Sequence, residues 1–351
     1  MARRYDIIHD LRLRREGEPL PTQMNVELTQ ECNLRCRHCY LEHQPGDSEL
    51  SAGQWHSILR QALDFGVYFI CFTGGEILSR RDFLEIVRSA AGMGLFYHFQ
   101  TNGTLIDEHV ADAFRELNPT KVEVSLYGSS ATVHDGITRV PGSFEKTVAA
   151  VGMMRRRDIR VQVKTTVMHD NWRDVSAIRE LVLRLGAGFR PDPMVMPGVR
   201  QGKGPQSMRM SDREFRRYMI AEGWHREGDD EVSRALREID APESRMICAA
   251  GRSRMAVSPR GEVMPCVLWR RKLGNLTKTT LEEVWFGEPF TIIRNRGIKD
   301  LKECRDCGNL IYCVRCPALA FMEVGDDTAR APESCRMSKL LKEVRQGEEG
   351  V

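Results

Sequence analysis

Three cysteines, Cys32, Cys36 and Cys39, stand at the spacing C-x-x-x-C-x-x-C, which puts three soft thiolates on one short loop able to curl round a single inorganic centre. Three ligands leave one coordination position unfilled. A four-iron cluster held this way keeps one iron free of protein ligands. A structural zinc site instead closes with four, and His38 or His43 would supply the fourth in that alternative. Seven of the eleven cysteines follow residue 247: Cys248, Cys266, Cys304, Cys307, Cys313, Cys316 and Cys335. Seven thiolates exceed one tetrahedral site and point to two further metal centres, although Cys304, Cys307, Cys313 and Cys316 alone would make a zinc knuckle. So many cysteines suit metal binding better than disulfides in a reducing compartment. Cys71 stands alone inside an apolar run and reads as an inert core thiol.

The elements that must carry these loops show in the hydrophobic pattern. Candidate strands are Met24 to Leu28, Val67 to Phe72, Leu95 to Gln100, Lys121 to Leu126, Arg160 to Val167 and Gly188 to Val195. Helical spacing appears between them, as in Ser51 to Phe65 and Arg81 to Met93, with Ser51 and Asp107 as caps. Six β-α units predict an α/β fold, a partial (β/α)6 barrel, with ligands at the carboxyl ends of its strands. Unusual sequences follow those ends: TQECNLRCRHCY, TGGE, TNG and YGSS. Residues 21–205 form the barrel in this reading, after an extension over 1–20. Pro197 to Pro205 reads as a loop, with basic Arg200, Lys203 and Arg209 as a border for a substrate groove. Charged helices over 206–240 bridge to a cysteine-rich domain over 241–351, in which Ser258 to Gly261 turns a hairpin.

The chain has 351 residues, and 52 Lys plus Arg against 49 Asp plus Glu leave a net charge of +3. Charges of both signs are interspersed, so there is no basic footprint for nucleic acid. No apolar run approaches the roughly 18 residues of a membrane span, and Met1 to Asp10 does not resemble a signal peptide. A cytoplasmic, soluble protein is expected.

The pair CNLRCRHC after the first strand and TGGE after the second resembles the radical S-adenosylmethionine (AdoMet) enzymes, over residues 20 to 200. The resemblance implies a 4Fe-4S cluster on Cys32, Cys36 and Cys39 whose open iron takes the amino and carboxylate groups of AdoMet. An electron from a low-potential donor such as ferredoxin or flavodoxin then yields a 5'-deoxyadenosyl radical that abstracts a substrate hydrogen. It further implies that Gly74, Gly75 and Glu76 hold the methionine amino group. Asn102 and Ser125 would contact the ribose or carboxylate, and Arg139 would pair the carboxylate as a fork. Taken bare, Asn102-Gly103 is a turn, Ser125 ends a strand and Arg139 is a surface arginine. Lys164 reads either as a contact in the barrel interior or as a snorkelling edge residue.

The second cysteine set resembles the SPASM extension of the same superfamily, with Gly261 and Cys266 at its characteristic offset. That resemblance implies a first auxiliary iron-sulfur cluster on Cys248, Cys266 and Cys316 and a second on Cys304, Cys307, Cys313 and Cys335. The final C-x-x-C is shorter than the family's usual spacing. No second cysteine near Cys248 completes the first cluster, so a nearby side chain or a substrate group fills its fourth position in this reading. Proteins of this arrangement most often modify ribosomally made peptides by crosslinking, thioether formation or epimerisation. With only twenty residues before Pro21, a leader peptide would be bound by the barrel rim, the tail or a separate partner protein. The alternatives are the same chemistry on a tetrapyrrole or redox-cofactor precursor, formylglycine formation (disfavoured by Val267 where related maturases place aspartate) and a non-enzymatic zinc scaffold.

Overall fold

The computed structural model describes residues 20–41, 49–198, 204–224, 248–313 and 315–347. The extension through residue 19, His43, Arg200, Lys203, the bridge beyond residue 224 and the boundary near residue 240 lie outside the described residues.

All six expected strands form: β1 (Gln23–Glu27), β2 (Phe69–Thr73), β3 (Phe96–Thr101), β4 (Val122–Ser125), β5 (Val161–Thr166) and β6 (Gly188–Asp192). They pair in parallel in chain order. Helices α1 (Ala52–Phe65), α2 (Phe83–Gly92), α3 (Glu108–Leu117), α4 (Ala131–Thr138), α5 (Ser143–Arg155) and α6 (Val175–Arg184) fill the connections. Ser51 opens α1 with a capping box to Gln54, and Gly66 closes it at a φ of 106°, where a side chain would be strained. Asp107 caps α3 through the Val110 N–H at 2.8 Å. Trp55, Ile58, Leu59, Ala62 and Phe65 make the buried stripe of α1, at the spacing that turns one helix face to the sheet.

Strand side chains alternate between the two faces. Val122, Val124, Val161 and Val163 are buried on the helix side, where Phe72, Phe83, Phe99 and Phe114 meet at centroid distances of 4.8 to 6.4 Å. Their neighbours Glu123, Ser125 and Lys164 face the concave side and line cavities there. The concave face is thus polar, unlike the apolar packing that fills a closed eight-stranded barrel.

The C-terminal residues do not form a separate layer. Strand β7 (Arg254–Val257) pairs in parallel with β1, Gln23 opposite Arg254 and Val26 opposite Val257. Antiparallel β8 (Glu262–Met264) and β9 (Gly274–Asn275) continue the sheet, giving the order β6-β5-β4-β3-β2-β1-β7-β8-β9. The ends do not meet, so the barrel is partial. The expected hairpin is present, turned by the Gly261 N–H on the Ser258 carbonyl at 2.9 Å. Helix α7 (Asp212–Ala221) starts at a Ser211–Glu214 capping box. It is followed by α8 (Leu281–Phe286), α9 (Glu288–Asn295), α10 (Pro317–Val324) and α11 (Pro332–Gln346). Phe215, Tyr218 and Met219 of α7 pack with Leu340 and Val344 of α11 and tie the bridge to the end of the chain. Among the described residues no helix is long and apolar enough to cross a membrane.

Candidate active site

The loop that leaves β1 carries Cys32, Cys36 and Cys39 over the carboxyl ends of the strands. Backbone hydrogen bonds hold it there: the N–H groups of Arg35 and Arg37 donate to the carbonyls of Thr138 and Ile137, each at 3.0 Å. Those carbonyls end α4 and need partners outside the helix. Arg37 also pairs with Asp170. The three thiols line one cavity of about 260 Å³ together with Gly74, Gly75, Asn102 and Ser125. Seven of the expected site positions therefore line one cavity, the three cysteines and those four.

The glycines have a local reason. A Cβ on Gly74 would lie 2.4 Å from the Thr29 carbonyl oxygen, and one on Gly75 would lie 2.2 Å from that of Glu31. Gly74 also has a φ of 139°. The N–H groups of Gly75 and Glu76 donate to those same carbonyls at 2.8 and 2.7 Å. This strand end is zipped to the segment that runs directly into Cys32, an approach only glycine permits.

Glu76 differs from expectation. Its carboxylate is wholly buried and does not line the cavity. It accepts from the Thr101 hydroxyl at 2.7 Å, the Asn102 N–H at 2.7 Å and the Leu78 N–H at 3.2 Å. Burial pushes its pKa up, against the pull of these three donors. Glu76 thus fixes the end of β3, and Asn102 with it, while the Asn102 amide donates to Asn33 at 2.9 Å beside Cys32. Arg139 is exposed at the end of α4, with a left-handed φ of 60°, and lines neither cavity. It follows Thr138, whose carbonyl accepts from the Arg35 N–H of the cysteine loop at 3.0 Å. Arg209 does not border a groove either: it pairs with Glu323 at 2.6 Å and donates to the Val195 carbonyl at 3.1 and 3.0 Å.

Lys164 faces the interior, 3.2 Å from Glu123. Gln100, Glu123, Lys164 and Thr166 line both the thiol cavity and a second one of about 660 Å³, which runs down the concave face to Gln23, Phe69 and Arg254 at the amino ends of the strands. Cys71 is buried, with its thiol pKa pushed up to about 12 by burial, but it lines this trough instead of the apolar core. Tyr40, Tyr127 and His38 were not singled out as wall residues by sequence reasoning. The signal for the trough was available in the polar alternation of NVE, HFQT, KVEVS and QVKTT, which is unusual for parallel strands with both faces covered. His38 meets Tyr127 edge to face at 4.4 Å, and burial lowers its pKa to about 4.

The remaining cysteines sort by position. Cys316 feels the charges of Cys248 and Cys266, while Cys313 and Cys335 each feel those of Cys304 and Cys307. Among the described residues no three His, Cys, Asp or Glu side chains close on a single ion position. The two sites approach each other at Tyr40, whose buried hydroxyl lies within electrostatic reach of both Cys39 and Cys266. Next to it, Arg270 donates to both oxygens of the buried Glu27 at 2.7 Å, joining the end of β1 to the segment after Cys266.

Residues 26–182 match the family model described as the Radical SAM superfamily, and residues 248–308 match the iron-sulfur cluster-binding domain SPASM. The chain belongs to the radical SAM superfamily and carries a SPASM domain; it is an enzyme of that class, with iron-sulfur and AdoMet sites. Among curated relatives, the AdoMet-dependent heme synthase of Methanosarcina barkeri is 28% identical, over 89% of this chain and 95% of the relative. A PqqA peptide cyclase of Rhodopseudomonas palustris is 25% identical, over 92% and 88%. Among solved structures, Streptococcus suis SuiB bound to its precursor peptide SuiA has the same fold, with a TM-score of 0.71 at 16% identity over 90% of this chain and 76% of that one.

The donor set fits an iron-sulfur cluster. Three unpaired thiols open onto one cavity beside the glycine corner. Burial raises the pKa of Cys32 to about 11 and that of Cys39 as well, so thiolates there call for a bound cationic metal as counter-charge.

Proposed function

We propose that this enzyme cleaves AdoMet reductively over the Cys32, Cys36 and Cys39 loop and removes a hydrogen atom from a ribosomally made peptide lying in the barrel trough. The observation that carries this reading is the shared wall: Gln100, Glu123, Lys164 and Thr166 border both the thiol cavity and the trough, so a substrate in the second reaches the first. When bound, the 4Fe-4S cluster and AdoMet supply the electron and the carbon radical that break an unactivated C–H bond. The protein's part is to hold. Cys32, Cys36 and Cys39 grip three irons. Gly74 and Gly75 give the cofactor a corner without side chains, and Asn102 and Ser125 offer polar contacts beside it. In this reading Cys248, Cys266 and Cys316 hold a first auxiliary cluster with its fourth position open, Cys304, Cys307, Cys313 and Cys335 hold a second, and a low-potential donor such as ferredoxin or flavodoxin supplies the electron for AdoMet cleavage. A separate leader-binding protein is a fitting partner.

The length of the trough suits an extended chain, and the peptide-cyclase relative supports that substrate. A second reading, hydrogen abstraction from a tetrapyrrole side chain, is favoured by the heme synthase relative. Val267 lines the trough where formylglycine-forming relatives place an aspartate, which leaves that reaction without its acid-base group.

The test is an anaerobic reaction with peptides encoded beside the gene and, in parallel, with iron coproporphyrin, read by mass. Loss of two hydrogens from a peptide supports crosslinking, and deuterium uptake without other mass change supports epimerisation. Replacing Cys32, Cys36 and Cys39 together by alanine should abolish 5'-deoxyadenosine while the iron bound after residue 247 remains. Cleavage retained in that variant refutes the assignment.

A further inference from the structure

We infer that the floor of the barrel trough is an anion subsite, formed by Lys121, Lys164 and Arg254, which takes a carboxylate of the substrate. The inference rests on the reading of the trough as the substrate site. The three cations come from three different strands or strand edges: Lys121 precedes β4, Lys164 lies within β5, and Arg254 opens β7 on the far side of β1. All three line the trough. All three also act on one side chain, the buried His98 of β3: burial first, then the charges of Lys121, Lys164 and Arg254, hold its pKa down at about 4 against the pull of Glu123. His98 is therefore neutral near pH 7 and contributes hydrogen bonding, not charge.

Two carboxylates line the trough with them, Glu123 and Asp192, and Glu123 is already engaged. Glu123 lies 2.5 Å from the Lys121 ammonium and 3.2 Å from that of Lys164, and it accepts from the Gln100 amide at 2.8 Å. Burial works against its ionisation, but the two lysines and Gln100 bring its pKa to about 2. With Arg190 also on the wall, four cations stand against two carboxylates, and the trough carries two surplus positive charges. The Arg254 guanidinium lines the trough with no hydrogen-bond or ion-pair partner among the described residues. A concave wall of low dielectric focuses such a field and concentrates anions of the matching size. Within the proposed function, carboxylates are the anions that either substrate brings, as acidic side chains or a chain terminus on a peptide, or as propionate arms on a tetrapyrrole. Arginine's planar fork suits a carboxylate, and charge-assisted pairing there adds discrimination against the uncharged counterpart.

The experiment measures binding to the anaerobically reconstituted full chain of two matched pairs: coproporphyrin III against its tetramethyl ester, and a glutamate-rich octapeptide against its glutamine counterpart. The acidic member of one pair should bind at least about tenfold more tightly, the effect of one charge-assisted contact. Which pair does so identifies the source of the carboxylate. The preference should fall to within about twofold in the Lys121→Gln/Arg254→Gln double variant and return toward the original value in Arg254→Lys. If the double variant melts below the parent chain, Arg254→Gln alone, at an exposed position, carries the test. The inference is overturned if both members of both pairs bind alike, if neither pair binds, or if the preference survives in the glutamine variants. Formation of 5'-deoxyadenosine without substrate, followed in the same preparations, reports separately on the AdoMet reading and persists if only the subsite is wrong.

Discussion

Replacing Glu76 by alanine separates a carboxylate that touches the cofactor from one that braces the strands beside it. The side chain is wholly buried and accepts from Thr101, Asn102 and Leu78 at 2.7, 2.7 and 3.2 Å. Truncation leaves three donors facing a hole, at about 1–3 kcal/mol for each buried group without a partner. Two effects reduce the sum. Water can enter from the adjoining cavity, and the carboxylate itself sits there at a desolvation cost, as its raised pKa shows. A loss of about 2–4 kcal/mol results, equivalent to roughly 3–5 °C in melting midpoint for a chain of this length. Glu76→Gln keeps one acceptor oxygen and should lose about half as much. Calorimetric melting of the anaerobically reconstituted chain, alongside equilibrium AdoMet binding, reads both quantities. If Glu76 braces the strand end, stability falls first and affinity follows through a displaced Asn102. An alanine variant that melts like the parent but has lost AdoMet affinity would refute it and return the carboxylate to the cofactor.

Gly75→Ala should be harsher on the site than on the core, because its Cβ meets the Glu31 carbonyl oxygen at 2.2 Å; reduced iron on the first cysteine set, with the later set intact, is the expected analysis. Arg270→Met strands the buried Glu27 and should cost about 3–5 kcal/mol, most of it recovered in the Glu27→Met/Arg270→Met pair, and a double-mutant cycle of melting midpoints that shows simple additivity would sink this account. His98 and His134 are both held near a pKa of about 4 by burial. The unfolded chain therefore binds more protons between about pH 6.5 and 4, and their contribution to stability is complete above that window and lost as pH falls through it. Midpoints measured from pH 7 to 5 should fall, and His134→Asn, whose carbonyl can replace Nδ1 as acceptor for the Tyr127 N–H at 3.0 Å, should flatten the profile; a parent chain with no fall refutes it.

Much of this architecture was readable before any coordinates. The six strand runs, Ser51 and Asp107 as caps, and the Ser258 to Gly261 turn each rest on short-range rules, and they form within two residues of expectation except β6, which stops at Asp192, three residues short of Val195 and just before Pro193. The C-x-x-x-C-x-x-C spacing of the first loop is itself a local signal, and its three thiols do line one cavity. Orientation was harder. TGGE marks a special strand end, yet nothing in four letters says that its glycines press on residues 29–31 and that its glutamate turns inward. That outcome depends on Thr101 and Asn102 arriving from β3. Arg139 sits at a helix end with a left-handed φ of 60°, a backbone position that no short-range pattern marked. The four-residue run RMAV of β7 is too short to announce that its partner lies more than two hundred positions earlier in the chain. The trough was missed for a different reason. Alternating polar residues were visible in four strands, and only their parallel register sums them into one charged wall.

That long-range pairing of β7 with β1 has a practical consequence. A fragment ending near residue 247 would leave the backbone edge of Met24 to Val26 with no neighbour on one side, an open template for strand exchange between molecules. Such a fragment should clump when expressed, however complete its catalytic loop. The same ladder works like a splice between two planks. Breathing of the C-terminal half against the N-terminal half would tear interior hydrogen bonds, so the spacing between the two sulfur-rich regions is as stiff as the middle of the sheet.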